Sequence, residues 1–190
     1  NILWDNSSSV LVGDYLFARS FQLMTEVGRL DILEALSDAS AKIAEGEVLQ
    51  LTASANISTS EDLYYKIVEG KTAALFSASM KVGGMLSNAQ DDIIEALSSY
   101  GNALGISFQI VDDILDFVGK ETQIGKSLGD DFRERKLTLP IIDSISKADD
   151  TEIKFWKRTI EDGDQITSDF DRALKILNRN SSMDYSKRIS

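Results

Sequence analysis

The residues best placed to do chemistry lie in one apolar stretch. From Ser107 to Val118 the chain reads Ser-Phe-Gln109-Ile-Val-Asp112-Asp113-Ile-Leu-Asp116-Phe-Val. On a helix, Gln109, Asp112 and Asp116 share a face, and Asp113 lies about 100° round from Asp112. Phe108, Ile110, Ile114, Leu115 and Phe117 make the rest of the surface apolar, so such a helix is mostly buried, where an unpaired carboxylate is expensive. Either the acids face a wet cavity holding a cation, or basic side chains neutralise them. Carboxylates one turn apart can share Mg²⁺ ions that also take up diphosphate oxygens; the plainer reading is a charged helix face. A second run with nearly the same spacing, Asp91-Asp92-Ile-Ile-Glu95, follows Asn88 at a helix start. There the acids suit the N-terminal dipole and need no metal, so that copy reads as structural.

Two groups of lysines could answer the carboxylates. Gly70-Lys71-Thr72 is no phosphate-binding P-loop, because the required glycine five positions earlier is Tyr65 and the segment falls inside a helix. Lys71 is either a solvated surface lysine or one aimed into a cavity to hold an anionic phosphate, with Thr72 as a hydroxyl donor. The stretch 119–137 carries Lys126, Asp131 and Lys136 directly after the acidic helix. It reads as a charged loop and, by position, as a lid whose lysines could neutralise a diphosphate.

Composition narrows the chemistry. The 190 residues contain no cysteine and no histidine, which excludes disulfides, thiolate nucleophiles, a Ser-His-Asp triad and His-based zinc or di-iron sites. A bound metal would be a hard, oxygen-liganded ion such as Mg²⁺. With 20 basic against 31 acidic residues the net charge is −11, contrary to a nucleic-acid footprint. No run approaches the roughly 18 apolar residues of a transmembrane segment, and no leader peptide is visible.

The elements that must position these groups read as helices. The single proline, Pro140, fits long helices joined by short turns, and period-2 patterns are scarce. Residues 8–25 are apolar nearly all round, which predicts a helix buried inside a bundle, capped by Ser7 to Ser9, with close packing at Gly13. A second helix is expected over 30–51 with Ile32, Leu36, Ile43, Val48 and Leu51 on its core side. Ser58-Thr-Ser-Glu61 opens a third, about 61–82, with Leu63, Ile67, Leu75 and Phe76 inward and Gly83-Gly84 at its end. The longest helix is expected over 90–118, ending at Gly119. Shorter helices follow over 138–146, 151–162 and 168–177, and residues 181–190 read as a tail. The whole is one all-α domain, 1–190.

The runs Val10-Leu-Val-Gly13-Asp14-Tyr-Leu-Phe-Ala18, Ile43-Ala-Glu-Gly-Glu-Val-Leu-Gln-Leu51, Gly70-Lys71-Thr-Ala, Phe108-Gln109-Ile-Val-Asp112-Asp113-Ile-Leu-Asp116, and Gly125-Lys126 with Asp131 to Pro140 resemble the trans-isoprenyl diphosphate synthases. The match covers most of residues 4–145 in order and spacing. The texture of Leu16 to Met24 is most similar to long-chain members such as octaprenyl, solanesyl or decaprenyl diphosphate synthases, which make quinone side chains. The resemblance implies a bundle of antiparallel helices around a deep cavity, usually as a homodimer. It implies head-to-tail condensation of isopentenyl diphosphate onto an allylic diphosphate with Mg²⁺, in a cytoplasmic, bacterial-like enzyme whose product partitions into membranes. Carried over by position, Asp112, Asp113 and Asp116 are the second aspartate-rich motif, with Asp112 as the direct metal ligand. Lys71, Lys126 and Lys136 bind diphosphate, Thr72 and Gln109 lie near the reacting carbon, and Asp131 belongs to the lid.

The sequence departs from the family pattern in one large respect. The first aspartate-rich motif, its trailing arginines and the basic isopentenyl-binding residues normally precede Asn1 and are not among these residues, and the C-terminal helices look cut short. The chain therefore reads as a fragment holding half a metal site and inactive by itself. Two other readings compete with the enzyme. A non-catalytic subunit of a heteromeric prenyl synthase would leave the second motif free to erode, and a terpene cyclase would make the lid and Gly-Lys-Thr runs less expected.

Overall fold

The computed structural model describes residues 5–119 and 128–190. Among them the secondary structure is entirely helical: α1 Asn6–Val27, α2 Leu30–Ala53, α3 Glu61–Val68, α4 Ala74–Leu86, α5 Asp91–Val118, α6 Asp130–Arg133, α7 Leu139–Ser146, α8 Asp150–Trp156, α9 Asp169–Arg179 and α10 Ser182–Ile189. One-turn π segments, Glu69–Ala73 and Lys157–Glu161, join α3 to α4 and extend α8.

Local chemistry sets most of the boundaries. The Ser60 hydroxyl caps α3 by accepting the Leu63 N–H at 3.2 Å, where the sequence placed a helix start. Asp149 and Glu152 form a reciprocal capping box on α8. Pro140 falls in the first turn of α7, where its missing N–H breaks no intrahelical bond. The start of α1 differs from expectation. Its cap is Asp5, whose Oδ1 accepts the Ser8 N–H at 2.7 Å, so Ser7 to Ser9 lie inside the helix.

Antiparallel α4 and α5 form the tightest pair, joined by the short turn 87–90, and α2 lies across α4 and the first π segment. Glycine makes the close approach possible. A Cβ at Gly105 would lie 2.5 Å from Ala73 Cα, and one at Gly46 would run into the Lys71 backbone nitrogen. The hydrophobic core lies at the C-terminal end of α5, where Ile110, Ile114 and Phe117 meet Phe132, Leu139, Trp156 and Leu177.

Several expectations from the sequence are corrected. No residue of α1 is buried, and a Cβ added at Gly13 would meet no other described segment within 4 Å; Leu11 and Tyr15 are 66% and 67% exposed. The apolar pattern registers a demand for cover that the described residues do not meet. On α2 the buried positions are Ile32, Ala39, Gly46 and Ala53, while Val48 and Leu51 point outward; at Gly46 the helix seats directly on the π segment, where a Cβ would meet the Lys71 backbone. Leu75 is likewise exposed, and α4 runs past Gly83-Gly84 to Leu86. The charge-rich stretch before Pro140 contains α6, and its Phe132 is fully buried beside Trp156, with ring centroids 6.4 Å apart. Residues 182–189 form a helix, not a tail, burying Met183 and Ser186 against α7 and α5.

Candidate functional site

A polar cavity of about 210 Å³ opens where α2, α3, α5 and the segment after α6 converge. Its walls include Gln50, Tyr64, Lys71, Gln109, Asp112, Asp113, Asp131, Lys136 and Thr138. The elements deliver these groups for local reasons. Inside the first π segment the Ala74 N–H reaches back to Glu69 O, five residues earlier, and Gly70 packs directly on Gly46 of α2. That widened turn places Lys71 against α2. Its Nζ donates to Gln50 Oε1 at 2.6 Å and lies 3.4 Å from Glu47 Oε1. The neighbouring Thr72 hydroxyl donates to Gln109 Oε1 at 2.8 Å, tying the segment to α5.

The three aspartates of α5 have different surroundings. Asp112 is half-buried at the cavity wall. Asp113 is 3% exposed; its Oδ2 accepts from the Tyr64 hydroxyl at 2.7 Å and its Oδ1 from Gln109 Nε2 at 2.9 Å. Burial pushes its pKa up to about 7, although both donors pull it down. Asp116 is also buried, but turned towards the start of α6, where Oδ2 accepts the Asp131 N–H at 3.1 Å. Burial first, and the Asp131 charge second, raise it to about 6. Lys136 Nζ lies 2.9 Å from Asp131 Oδ1 and 2.6 Å from Glu134 Oε2. Burial lowers its pKa, but its hydrogen bonds to both acids more than offset that, so it stays protonated.

Seven sequence-identified residues therefore gather at one place: Lys71, Thr72, Gln109, Asp112, Asp113, Asp131 and Lys136. Asp116 is set back from the cavity, and Lys126 lies outside the described residues. The three aspartates do not converge on a common point: among the described residues no group of three or more acidic side chains could hold one metal ion. Three cavity residues escaped sequence reasoning. Gln50 and Tyr64 carry no spacing signal that marks them off from ordinary helix residues. Thr138, next to Pro140, is 5% exposed with a hydroxyl that has no hydrogen-bond partner among the described residues.

A second, apolar groove of about 840 Å³ runs between α1, α2 and α4, lined by Phe17, Phe21, Met24, Leu36, Ile43 and Leu86 among others.

Fold and site together define an all-α protein whose polar cavity sets acidic oxygens and lysines of neighbouring helices against one another, beside a large apolar groove. Polyprenyl synthetase is the family whose model matches, over residues 1–177, and the chain belongs to that family. It is 39% identical over 163 residues to the octaprenyl diphosphate synthase of Escherichia coli strain K12, covering 86% of this chain and 50% of the relative. Among solved structures, a decaprenyl diphosphate synthase from Rhodobacter capsulatus superposes with a TM-score of 0.88 at 57% identity, covering 98% of this chain and 57% of that one. A polyprenyl synthase from Caulobacter crescentus, complexed with calcium and isoprenyl diphosphate, superposes with a TM-score of 0.92 at 42% identity, covering 97% and 56% respectively. The chain thus spans about half the length of the relatives it matches.

Proposed function

We propose that the protein containing this chain is a Mg²⁺-dependent prenyltransferase. It would condense isopentenyl diphosphate head-to-tail onto an allylic diphosphate to make a long polyprenyl diphosphate, of the kind used for quinone side chains. The observation that carries this reading is the cavity itself, lined by Asp112 together with Lys71 and Lys136. Ammonium groups and carboxylate oxygens around one small space suit a diphosphate held with a hard cation.

The donor set fits Mg²⁺ in kind, being all oxygen, and fits it in part by number. Asp112 would hold the ion, since both oxygens of Asp113 accept hydrogen bonds and Asp116 is turned towards α6. Diphosphate, water and a partner motif elsewhere in the full protein would complete its shell. When bound, Mg²⁺ supplies charge neutralisation that helps the diphosphate leave. Lys71 would exchange Gln50 and Glu47 for phosphate oxygens, and Lys136, with Lys126, would neutralise the same group as a lid. Thr72 and Gln109 would steady positive charge developing at the allylic carbon. The isopentenyl double bond attacks that carbon, and the departing diphosphate takes the proton released, so no histidine is needed. The growing chain would lie in the apolar groove beside α1.

The exposed apolar residues of α1 support assembly as a homodimer. No helix among the described residues is long and apolar enough to cross a membrane; a cytoplasmic enzyme releasing a membrane-partitioning product is the matching reading. A purely regulatory subunit is disfavoured because Asp112-Asp113-x-x-Asp116 is intact. The test is direct. The full-length protein, given labelled isopentenyl diphosphate, an allylic diphosphate and Mg²⁺, should yield long polyprenyl products on chromatography, and absence of any condensation would overturn the assignment.

A further inference from the structure

The mechanism above gives Tyr64 and Asp113 no role, yet both line the cavity and belong to a continuous run of hydrogen bonds that Tyr64 begins and Thr72 ends. Tyr64 of α3 donates its hydroxyl to Asp113 Oδ2 at 2.7 Å; Gln109 Nε2 donates to Asp113 Oδ1 at 2.9 Å; Thr72 Oγ1 donates to Gln109 Oε1 at 2.8 Å. The direction of each bond follows from the one before it. Both Asp113 oxygens accept, one from Tyr64 and one from Gln109, so the Gln109 amide turns its nitrogen to Asp113 and its oxygen to Thr72. The Thr72 hydroxyl, its proton committed to that oxygen, is left with lone pairs. Tyr64 satisfies the second Asp113 oxygen from the buried side and removes the carboxylate's freedom to rotate.

We infer that Tyr64 and Asp113 are positioning residues: they fix the hydrogen-bond polarity of Gln109 and Thr72, so that oxygen lone pairs rather than N–H or O–H groups meet the allylic carbon. The inference rests on the prenyl-transfer reading of the same cavity. As the allylic C–O bond breaks, its electron pair leaves with the diphosphate and the carbon becomes positive. Acceptors oriented beforehand stabilise that charge without reorganising. A rotatable amide alone would average between a favourable and an unfavourable face; the buried carboxylate removes the second.

The test uses the full-length protein with Mg²⁺ and two probes, followed by calorimetry. One probe is an allylic thiolodiphosphate, neutral at the reacting carbon. The other is an ammonium analogue carrying a positive charge there. Wild type should prefer the ammonium probe. Tyr64→Phe removes one oxygen atom and no ring, and should cut that preference about tenfold, the effect of one hydrogen bond to a charged group. Binding of the thiolodiphosphate should stay within about twofold of wild type, because the phosphate-holding lysines are untouched. Asp113→Asn, whose own amide can present either face, should abolish the preference; if that variant fails to fold, Tyr64→Phe decides alone. Parallel weakening of both probes, or an unchanged preference, would overturn the positioning role while leaving prenyl transfer standing. A wild-type protein that binds neither probe would sink both.

Discussion

Lys71 and Asp112 both line the cavity, and their substitution separates binding from fold. Gln50 and Glu47 hold the Lys71 ammonium at the cavity. Lys71→Ala in the full-length protein should raise the KM for the allylic substrate or lower kcat, with kcat/KM falling about 10- to 100-fold, as expected for a lost charged hydrogen bond. An unchanged steady-state profile would remove Lys71 from diphosphate binding. Asp112→Ala should abolish turnover while the far-UV helical signal is kept, because Asp112 is half-buried at the wall and contributes little core volume. Equal loss of helix content and activity would indicate a structural pairing instead. Much of the residue-scale chemistry was legible in the sequence, since carboxylates on an apolar helix already pose an energetic problem. The resemblance singled out Asp112 as the direct ligand, but the separate surroundings of the three aspartates were not legible. They have the same chemistry and lie within two turns, and packing alone ties Asp113 to Tyr64 and Gln109 and turns Asp116 towards α6.

At the scale of elements, the π segment Glu69–Ala73 matters most to the site. It interrupts what the apolar pattern presented as one continuous helix, and it brings Lys71 against α2 and Thr72 against α5. Its close seat on α2 depends on Gly46, where a methyl group would collide with the Lys71 backbone. Gly46→Ala should therefore destabilise by about 1–3 kcal/mol, the usual cost of overpacking, measured by urea unfolding. It should also raise the allylic KM, because the backbone that must yield carries Lys71; a stability loss with unaltered KM would show that the two are uncoupled. The segment was invisible to helical periodicity, since one inserted residue within a turn leaves the flanking apolar pattern readable as a single helix. Phe132 was missed for a related reason: a lone aromatic in a run of charges reads as loop, although tertiary contacts with Trp156 and Phe170 bury it. The helix over 182–189 hid behind polar residues because its inward contacts are largely small, Ser182 and Ser186 among them.

For the whole molecule, the question is what covers α1. Phe17, Phe21 and Met24 line the groove shared with α2, while Leu11 and Tyr15 stand exposed well round the helix from them. On the proposed function, one face would take the prenyl chain and the other a second copy. In the full-length protein the paired change Leu11→Glu and Tyr15→Glu should shift sedimentation from dimer to monomer, since two buried charges at an interface core are strongly unfavourable. An undisturbed sedimentation coefficient would place the dimer contact elsewhere.

By itself the sequence determined the helical class, the longest helix, the hydroxyl cap ahead of Glu61, the family resemblance and the charged residues of the site. These depend on spacing along the chain and on which chemical groups are present. The tertiary structure decided the burial of α2 through small residues, the π turn beneath Lys71, the distinct surroundings of the three aspartates and the enlistment of Tyr64 and Gln50. Those are contacts between distant segments, such as the 49-residue separation of Tyr64 from Asp113. Their geometry depends on how closely backbones approach, which no periodicity along one helix encodes.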